Sequence, residues 1–347
     1  MEELLHGERT RQVLEAVIIE YIKTGTPVGS RAIAKKYGLN VSPATIRNVM
    51  SDLEDLGLLS QPHTSAGRVP TELGLRIYVD SIVKVKALSS SERERIKRSY
   101  TGKVRKVESL LKDTSRVLSS FSKQTSMVLT PRLSTTVFKR IEFIRLRPNV
   151  VLVILVSTAG TVHNTVIETE EDIPQNELER YTRFLNDMLK NLTLQQVKER
   201  LLSEMKREKT LFDNLLAQAV KLSKQVLEKD LASSELIIDG RMNLLEYPEL
   251  ADLEQMRRIF AAFEEKGKII ELLDKSTAAE GVHIFIGSES ELQDMERVSF
   301  VTSPYTSGED VLGTLGVVGP IRMDYARIIP LVDYTAKLLS KMLEETF

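Results

Sequence analysis

No cysteine occurs in the 347 residues. That excludes disulfides, thiolate nucleophiles and thiolate metal sites, and it fits a reducing compartment. Histidine is scarce as well. The four, at positions 6, 63, 163 and 283, never fall at a metal-ligand spacing such as i, i+4 on a helix. Charge of one sign is not in excess: the formal net charge is −1, so affinity for nucleic acid must come from a local patch. No apolar run approaches the roughly 20 residues of a membrane span; the longest, Val150 to Val156, is strand-length. The first residues, MEELLHGERT, are polar and acidic, unlike a signal peptide. A soluble, cytoplasmic chain with no membrane partner is expected. No serine sits in a nucleophile elbow. The glycines at 308, 313, 316 and 319 do not match G-x-G-x-x-G and fall among strand residues, so they read as hairpin turns and strand bends. No catalytic constellation emerges, and no metal or cofactor is called for. The length exceeds one typical domain, and 42% hydrophobic residues suffice for real cores.

What is present is concentrated between Gly25 and Pro70. Residues 8–23 form a helix with two apolar rails, Val13, Val17, Tyr21 and Leu14, Ile18, Ile22, and Thr24 to Gly29 is a turn. A short helix starts at Ser30 as its cap, buries Ile33 and Tyr37, and ends at Gly38. A second helix has Ser42 as N-cap and Pro43 at the first helical position. Ile46, Val49, Met50, Leu53 and Leu56 then recur at helical spacing. The opposite face carries Ala44, Thr45, Arg47, Asn48 and Ser51, small and hydrogen-bonding, suited to a major groove. Gly57 ends the helix. Leu58 to Gln61 and Arg68 to Pro70 read as two strands around a polar loop, Pro62 to Gly67. A helix pair followed by such a hairpin is a winged helix-turn-helix. Two packed helices of an ordinary α domain are the bland alternative.

The run VSPATIRNVMSDLEDLGLLSQPHTSAGRVPTELGLRIYVD resembles the HrcA-type family of heat-inducible transcription repressors. So does the later run PYTSGEDVLGTLGVVGPIRMDYARIIPLVDYTAKLL. With the order of the segments between them, the resemblance covers nearly the whole chain.

Downstream, Thr71 caps a helix running to about Ala87, with Leu73, Ile77, Val79, Ile82 and Val83 as apolar members. From Lys84 to Lys106 nine Lys or Arg stand against two Glu, either a solvated linker or an electrostatic aid to DNA binding. Val104 to Phe121 describes an amphipathic helix. Thr136 to Leu146 alternates like a strand, Pro148-Asn149 turns, Val150 to Val156 reads as a strand buried on both faces, and Thr161 to Glu168 as a third strand. Pro174 to about Leu231 is helical throughout, an insertion whose apolar stripes pack on the host sheet or on a second copy. Leu236 to Ile238 is a short apolar segment. A helix from about Leu250 to Asp274, strands at Val282–Ile286, Val298–Thr302 and Val311–Val317, and a helix from Tyr325 to about Leu343, interrupted or delayed by Pro330, complete an α+β layout.

The expected architecture is α+β and multidomain. Residues 1–88 form a winged helix-turn-helix and 89–103 a basic linker. Residues 104–169 and 236–347 form a domain similar to the GAF type, which the resemblance implies, and 170–235 an inserted helical dimerising domain. As function, the resemblance implies a homodimeric repressor of chaperone genes, released on heat stress and kept active by the GroE chaperonin. A two-fold dimer requires an inverted-repeat operator in double-stranded DNA. Arg47 and Asn48 are the candidates for base edges, Ser42, Thr45 and Ser51 weaker ones. Arg31 and Lys35 are expected to approach phosphates from the first helix of the pair, and Arg68 from the wing base. His63 either touches a phosphate or minor-groove edge or is solvated. The alternative function is a regulator whose GAF-like domain senses a small molecule.

Overall fold

The computed structural model describes residues 7–64, 66–100, 107–131, 137–157, 162–188, 192, 196, 235–250, 252–277, 281–293, 295–308 and 310–346. The first helix, α1 (Glu8–Thr24), buries Val13, Leu14, Val17 and Ile18 and ends at Gly25, which is left-handed (φ 65°) and donates to the Tyr21 carbonyl. In α2 (Ser30–Lys36) the cap position belongs to Gly29. Ser30 is the first helical residue and is buried, a correction to its expected role as cap. The left-handed Gly38 follows α2 as expected.

Helix α3 (Pro43–Asp55) starts at Ser42 and buries Ile46, Met50 and Leu53. Strands β1 (Leu59–Ser60) and β2 (Val69–Pro70) pair antiparallel. Val28, expected in a turn, adds a third strand-like element by exchanging both backbone bonds with Arg68, at 2.8 and 2.9 Å. Helix α4 (Glu72–Ile77), capped by Thr71, widens into a π turn over Tyr78–Ile82 and stops at Val83. It falls short of Ala87: Val83 turns extended (ψ 125°), and Lys84, Val85 and Lys86 beyond it are exposed.

The expected basic linker is in large part a docked helix, α5 (Ser90–Arg98). Ser89 and Glu92 form a capping box at its start, and Ile96 is buried. Arg93 lies 5.5 Å over the Tyr334 ring and Arg95 5.6 Å over Phe121, so two of its cations are spent on aromatic faces. Helix α6 (Val107–Ser122) and β3 (Thr125–Leu129) then open the second domain.

After β3 the chain leaves this domain. Strands β4 (Phe138–Arg147), β5 (Val150–Ser157) and β6 (Val162–Glu168) form a three-stranded antiparallel sheet of their own, covered on one face by α7 (Gln175–Met188). These strands were expected in the host domain. Their pairing instead assigns them to the insertion, which begins before residue 169. The expected double burial of β5 is also corrected. Val151, Val153 and Leu155 are buried, while Val150, Leu152, Ile154 and Val156 on the other face remain half-exposed. The open edge of β4 is closed by side chains of α7: Asn186 bonds both backbone groups of Ile141, at 2.8 and 2.9 Å, and Gln175 accepts from the Arg145 N–H at 2.8 Å. The rest of the expected helical block, from 197 to 231, lies outside the described residues.

The chain returns at β7 (Leu236–Asp239). Two short 3-10 turns follow, then α8 (Leu253–Glu265), α9 (Gly267–Thr277), β8 (His283–Ile286), β9 (Val298–Ser307), β10 (Asp310–Pro320) and α10 (Tyr325–Thr346). The single helix expected from 250 to 274 is broken at Lys266, whose positive φ of 54° no helix accommodates. Pro330 leaves α10 unbroken. The sheet runs β7-β3-β10-β9-β8, antiparallel throughout. One face packs on α6 and α10 through Val128, Tyr305, Leu118 and Leu339. The other packs on α8 and α9 through Met127, Phe300, Phe263 and Leu273. This is a three-layer α+β domain, as expected, with two helices on each face of the five-stranded sheet. The glycines of β10 are strand positions as anticipated: a Cβ at Gly313 or Gly316 would press on the backbone of the neighbouring strand.

Two joints hold the winged helix against this domain. Arg76 on α4 grips Glu289 with both arms and donates to the Ile284 carbonyl at 2.7 Å, while Glu72 accepts from Ser288. Arg322 pairs with Glu249, lies 5.4 Å over the Tyr247 ring and donates to the Ile22 carbonyl at 2.9 Å. It thereby satisfies a free carbonyl at the end of α1.

Candidate nucleic-acid interface

Helix α3 is anchored from one side and offered from the other. Ser42 Oγ accepts the Thr45 N–H at 3.1 Å and lies 2.9 Å from Thr45 Oγ1, so both hydroxyls are occupied by the cap. Pro43 fills the first position, where no donor is needed. With Ile46, Met50 and Leu53 locked into the core, the helical period turns Ala44, Arg47, Asn48 and Ser51 outward, and all four are exposed. Thr45 is half-buried. Among the described residues no ion pair restrains Arg47. Arg31 and Lys35 are exposed on α2, one turn apart.

The wing is held from within. Gln61 Nε2 donates to the carbonyls of Thr64 and Ala66, at 3.0 and 2.9 Å, and the Ala66 N–H closes on the His63 carbonyl at 2.8 Å. His63 stands exposed on this loop. Arg68, expected as a free cation at the wing base, is turned inward. Its Nη2 pairs with Glu54 of α3 at 2.7 Å, its side chain is 19% exposed, and its Nε is buried without a partner. At the wing base this cation therefore has an intramolecular partner, Glu54, which the sequence did not point to.

Three residues with a part in this geometry were not singled out in the sequence: Glu54, Gln61 and Glu20. Glu20 is buried on α1 and holds α2 through the Lys36 ammonium and, at 3.1 Å, the Tyr37 hydroxyl. The Lys36 hydrogen bond outweighs burial and keeps the Glu20 carboxyl below its ordinary range. Burial, with Glu20 alongside, pushes the Tyr37 hydroxyl up to about 12. The one available signal was an acidic residue beside the apolar rails of α1. No group of three or more His, Asp or Glu among the described residues is placed to hold a metal ion. No described helix is long and apolar enough to cross a membrane.

Family models match both parts of this architecture. The winged helix-turn-helix transcription repressor model, HrcA DNA-binding, matches residues 7–80, and the HrcA protein C terminal domain model matches residues 108–329. The chain belongs to the HrcA family. The heat-inducible transcription repressor HrcA of Syntrophobacter fumaroxidans is 54% identical over 340 residues, 98% of each chain. The protein of the same name from Geobacter sulfurreducens is 50% identical over 338 residues, 97% of this chain and 98% of its own. A solved structure titled as a hypothetical protein shares the fold, with a TM-score of 0.60 at 23% identity over 98% of this chain and 99% of that one. HrcA proteins are transcription repressors, not enzymes. Residues 7–80 of this HrcA chain are therefore its winged helix-turn-helix DNA-binding domain.

Proposed function

We propose that this chain represses chaperone genes as a cytoplasmic homodimer on an inverted-repeat operator, and that heating releases it. Each subunit lays α3 in a major groove. Arg47 and Asn48 read base edges, because Arg pairs bidentately with guanine and Asn with adenine. Ser51 lies beside them. Arg31, Lys35 and the wing loop at His63 meet the flanking backbone, which positions the protein without reading sequence. Ser42 and Thr45 act through the cap. The observation that carries this reading is the outward row Arg47, Asn48, Ser51 on a helix whose other side is fully anchored.

The dimer draws support from the face of the β4-β5-β6 sheet that no described element covers. Ile144, Leu152 and Val166 stand in register across the three strands, and Leu146 and Val162 extend the patch. Val162 is 59% and Leu146 53% exposed. An apolar face of this kind is costly in water, and a second copy of the chain covers it. GroE enters, as the family resemblance implies, as the partner that helps keep the repressor active. A ligand-sensing role gains no observation, since side chains pack both faces of the five-stranded sheet.

A mobility-shift titration on inverted-repeat DNA, at several protein concentrations and through a heating ramp, tests the proposal. Dimer-dependent binding that vanishes on warming is the expected result. Equal affinity for a single half-site, or retention of the operator through the heat-shock range, would overturn it.

A further inference from the structure

Arg68 joins three elements at once. Its backbone N–H and C=O exchange bonds with Val28 on the segment leading into α2, at 2.9 and 2.8 Å. Gly67, its neighbour, lies so close that any Cβ there would overlap the Val28 carbonyl. Its side chain reaches across to Glu54 in the last turn of α3 at 2.7 Å. The wing strand is thus tied by its main chain to the approach to α2 and by one side chain to the recognition helix. The Nε is shielded from solvent and has no partner.

Glu54 has the complementary problem. Asp52 and Asp55 are exposed on the same turn, and each added carboxylate there repels a phosphate backbone. Pairing neutralises the charge of Glu54 and uses it as a fixed point for the wing. We infer that Glu54 and Arg68 are a positioning pair. They set the angle between recognition helix and wing and so govern operator affinity without touching DNA. This rests on the DNA-binding role of α3 and goes beyond it by removing Arg68 from the phosphate contacts and giving Glu54 a role.

The two assignments of Arg68 differ in the sign of one measurement. Glu54→Gln removes a negative charge near DNA and frees the guanidinium. If Arg68 were a phosphate ligand, operator binding would stay equal or tighten. If the pair positions the wing, binding weakens. The experiment uses the full-length chain with Glu54→Gln, Arg68→Ala and the double variant. Affinity is measured on an inverted-repeat operator and on random duplex across a salt series, below the melting transition of each variant. The expected result is a loss of about tenfold on the operator for each single variant, with the double no worse than the weaker single. Random-duplex affinity and the salt slope stay as in the parent. Glu54→Asp, which keeps the charge and shortens the reach, weakens operator binding too and serves if Glu54→Gln fails to fold. Unchanged or tighter operator binding by the Glu54 variants overturns the inference. So does a salt slope reduced by about one per subunit in Arg68→Ala alone. If the parent chain itself does not distinguish operator from random duplex, the operator reading fails instead, a separate and recognisable outcome.

Discussion

Arg76 and Glu289, 213 positions apart in the chain, meet side-on, with Nε 2.9 Å from Oε1 and a second contact from Nη2. This bidentate pair is the firmest charged link between the DNA-binding domain and the α+β domain, because a planar fork matched to a carboxylate adds geometry to charge. Replacing Arg76 by Ala leaves a partly buried carboxylate with only the Ile286 N–H and takes the Arg76 donor from the Ile284 carbonyl. We expect a loss of about 1–3 kcal/mol, moderated by the partial exposure of Glu289. Denaturant midpoints of the parent and variant give the value; an unchanged midpoint would show the joint to be energetically idle.

The same pair predicts a pH dependence. Burial alone would raise the Glu289 carboxyl, but the Arg76 hydrogen bond, the Ile286 N–H and the Arg76 charge outweigh it and hold it below its ordinary 4.5. The unfolded chain therefore takes up the proton first as pH falls. The contribution is fully present above the ordinary value and is lost as pH drops through the lowered one. Melting temperatures measured downward from neutrality should fall less steeply below pH 4.5 in Glu289→Gln than in the parent. Glu20, held low by Lys36, acts in the same direction, so the slope diminishes without disappearing. Superimposable acid profiles would contradict the assignment.

Arg47→Ala should cost about 1–3 kcal/mol of operator affinity and relax preference at one base position, as should Asn48→Ala at another. Selection from a randomised half-site reports which base is released. A uniform loss over all sequences would make either residue a phosphate contact.

Ser42→Ala removes the acceptor for the Thr45 N–H and should destabilise the winged helix by about 1 kcal/mol. Ser42→Asp should restore it, since a carboxylate also caps and complements the helix dipole. Thermal unfolding of both variants is the check. Equal melting of all three proteins would mean that the cap contributes nothing.

Val166→Asp places a charge on β6, beside Leu152 in the apolar row of the open face of the β4-β5-β6 sheet. If the proposed dimer forms through this face, sedimentation should show dimer for the parent and monomer for the variant, with the helix content retained. A variant that remains dimeric would move the interface elsewhere.

What was legible in the sequence was local. Ser42, Pro43 and the spacing of Ile46, Met50 and Leu53 define α3 within one stretch, because capping and helical periodicity act over three or four residues. The outward row Arg47, Asn48, Ser51 follows from that same period. The wing loop, the turn at Asn149 and the strand glycines were equally readable from short-range rules. Ser30 shows the margin: a cap and a first helical residue differ by one position, and Gly29 took the cap.

By itself the sequence determined most of the helices and strands, though not α5, β3 or the break at Lys266, together with the anchored and free sides of α3 and, through two long runs, the family. Tertiary structure alone decided which strands pair with which. The alternation in β4 and β6 would suit either sheet, since strand membership is a choice among distant partners that a strand's own residues do not encode. It also decided which cations are free. Arg68, Arg76, Arg93 and Arg95 look alike in a sequence, and each was claimed by a carboxylate or an aromatic face brought near by the fold. A charge interacts with whatever lies within a few ångströms, and that neighbourhood exists only once the chain has closed on itself.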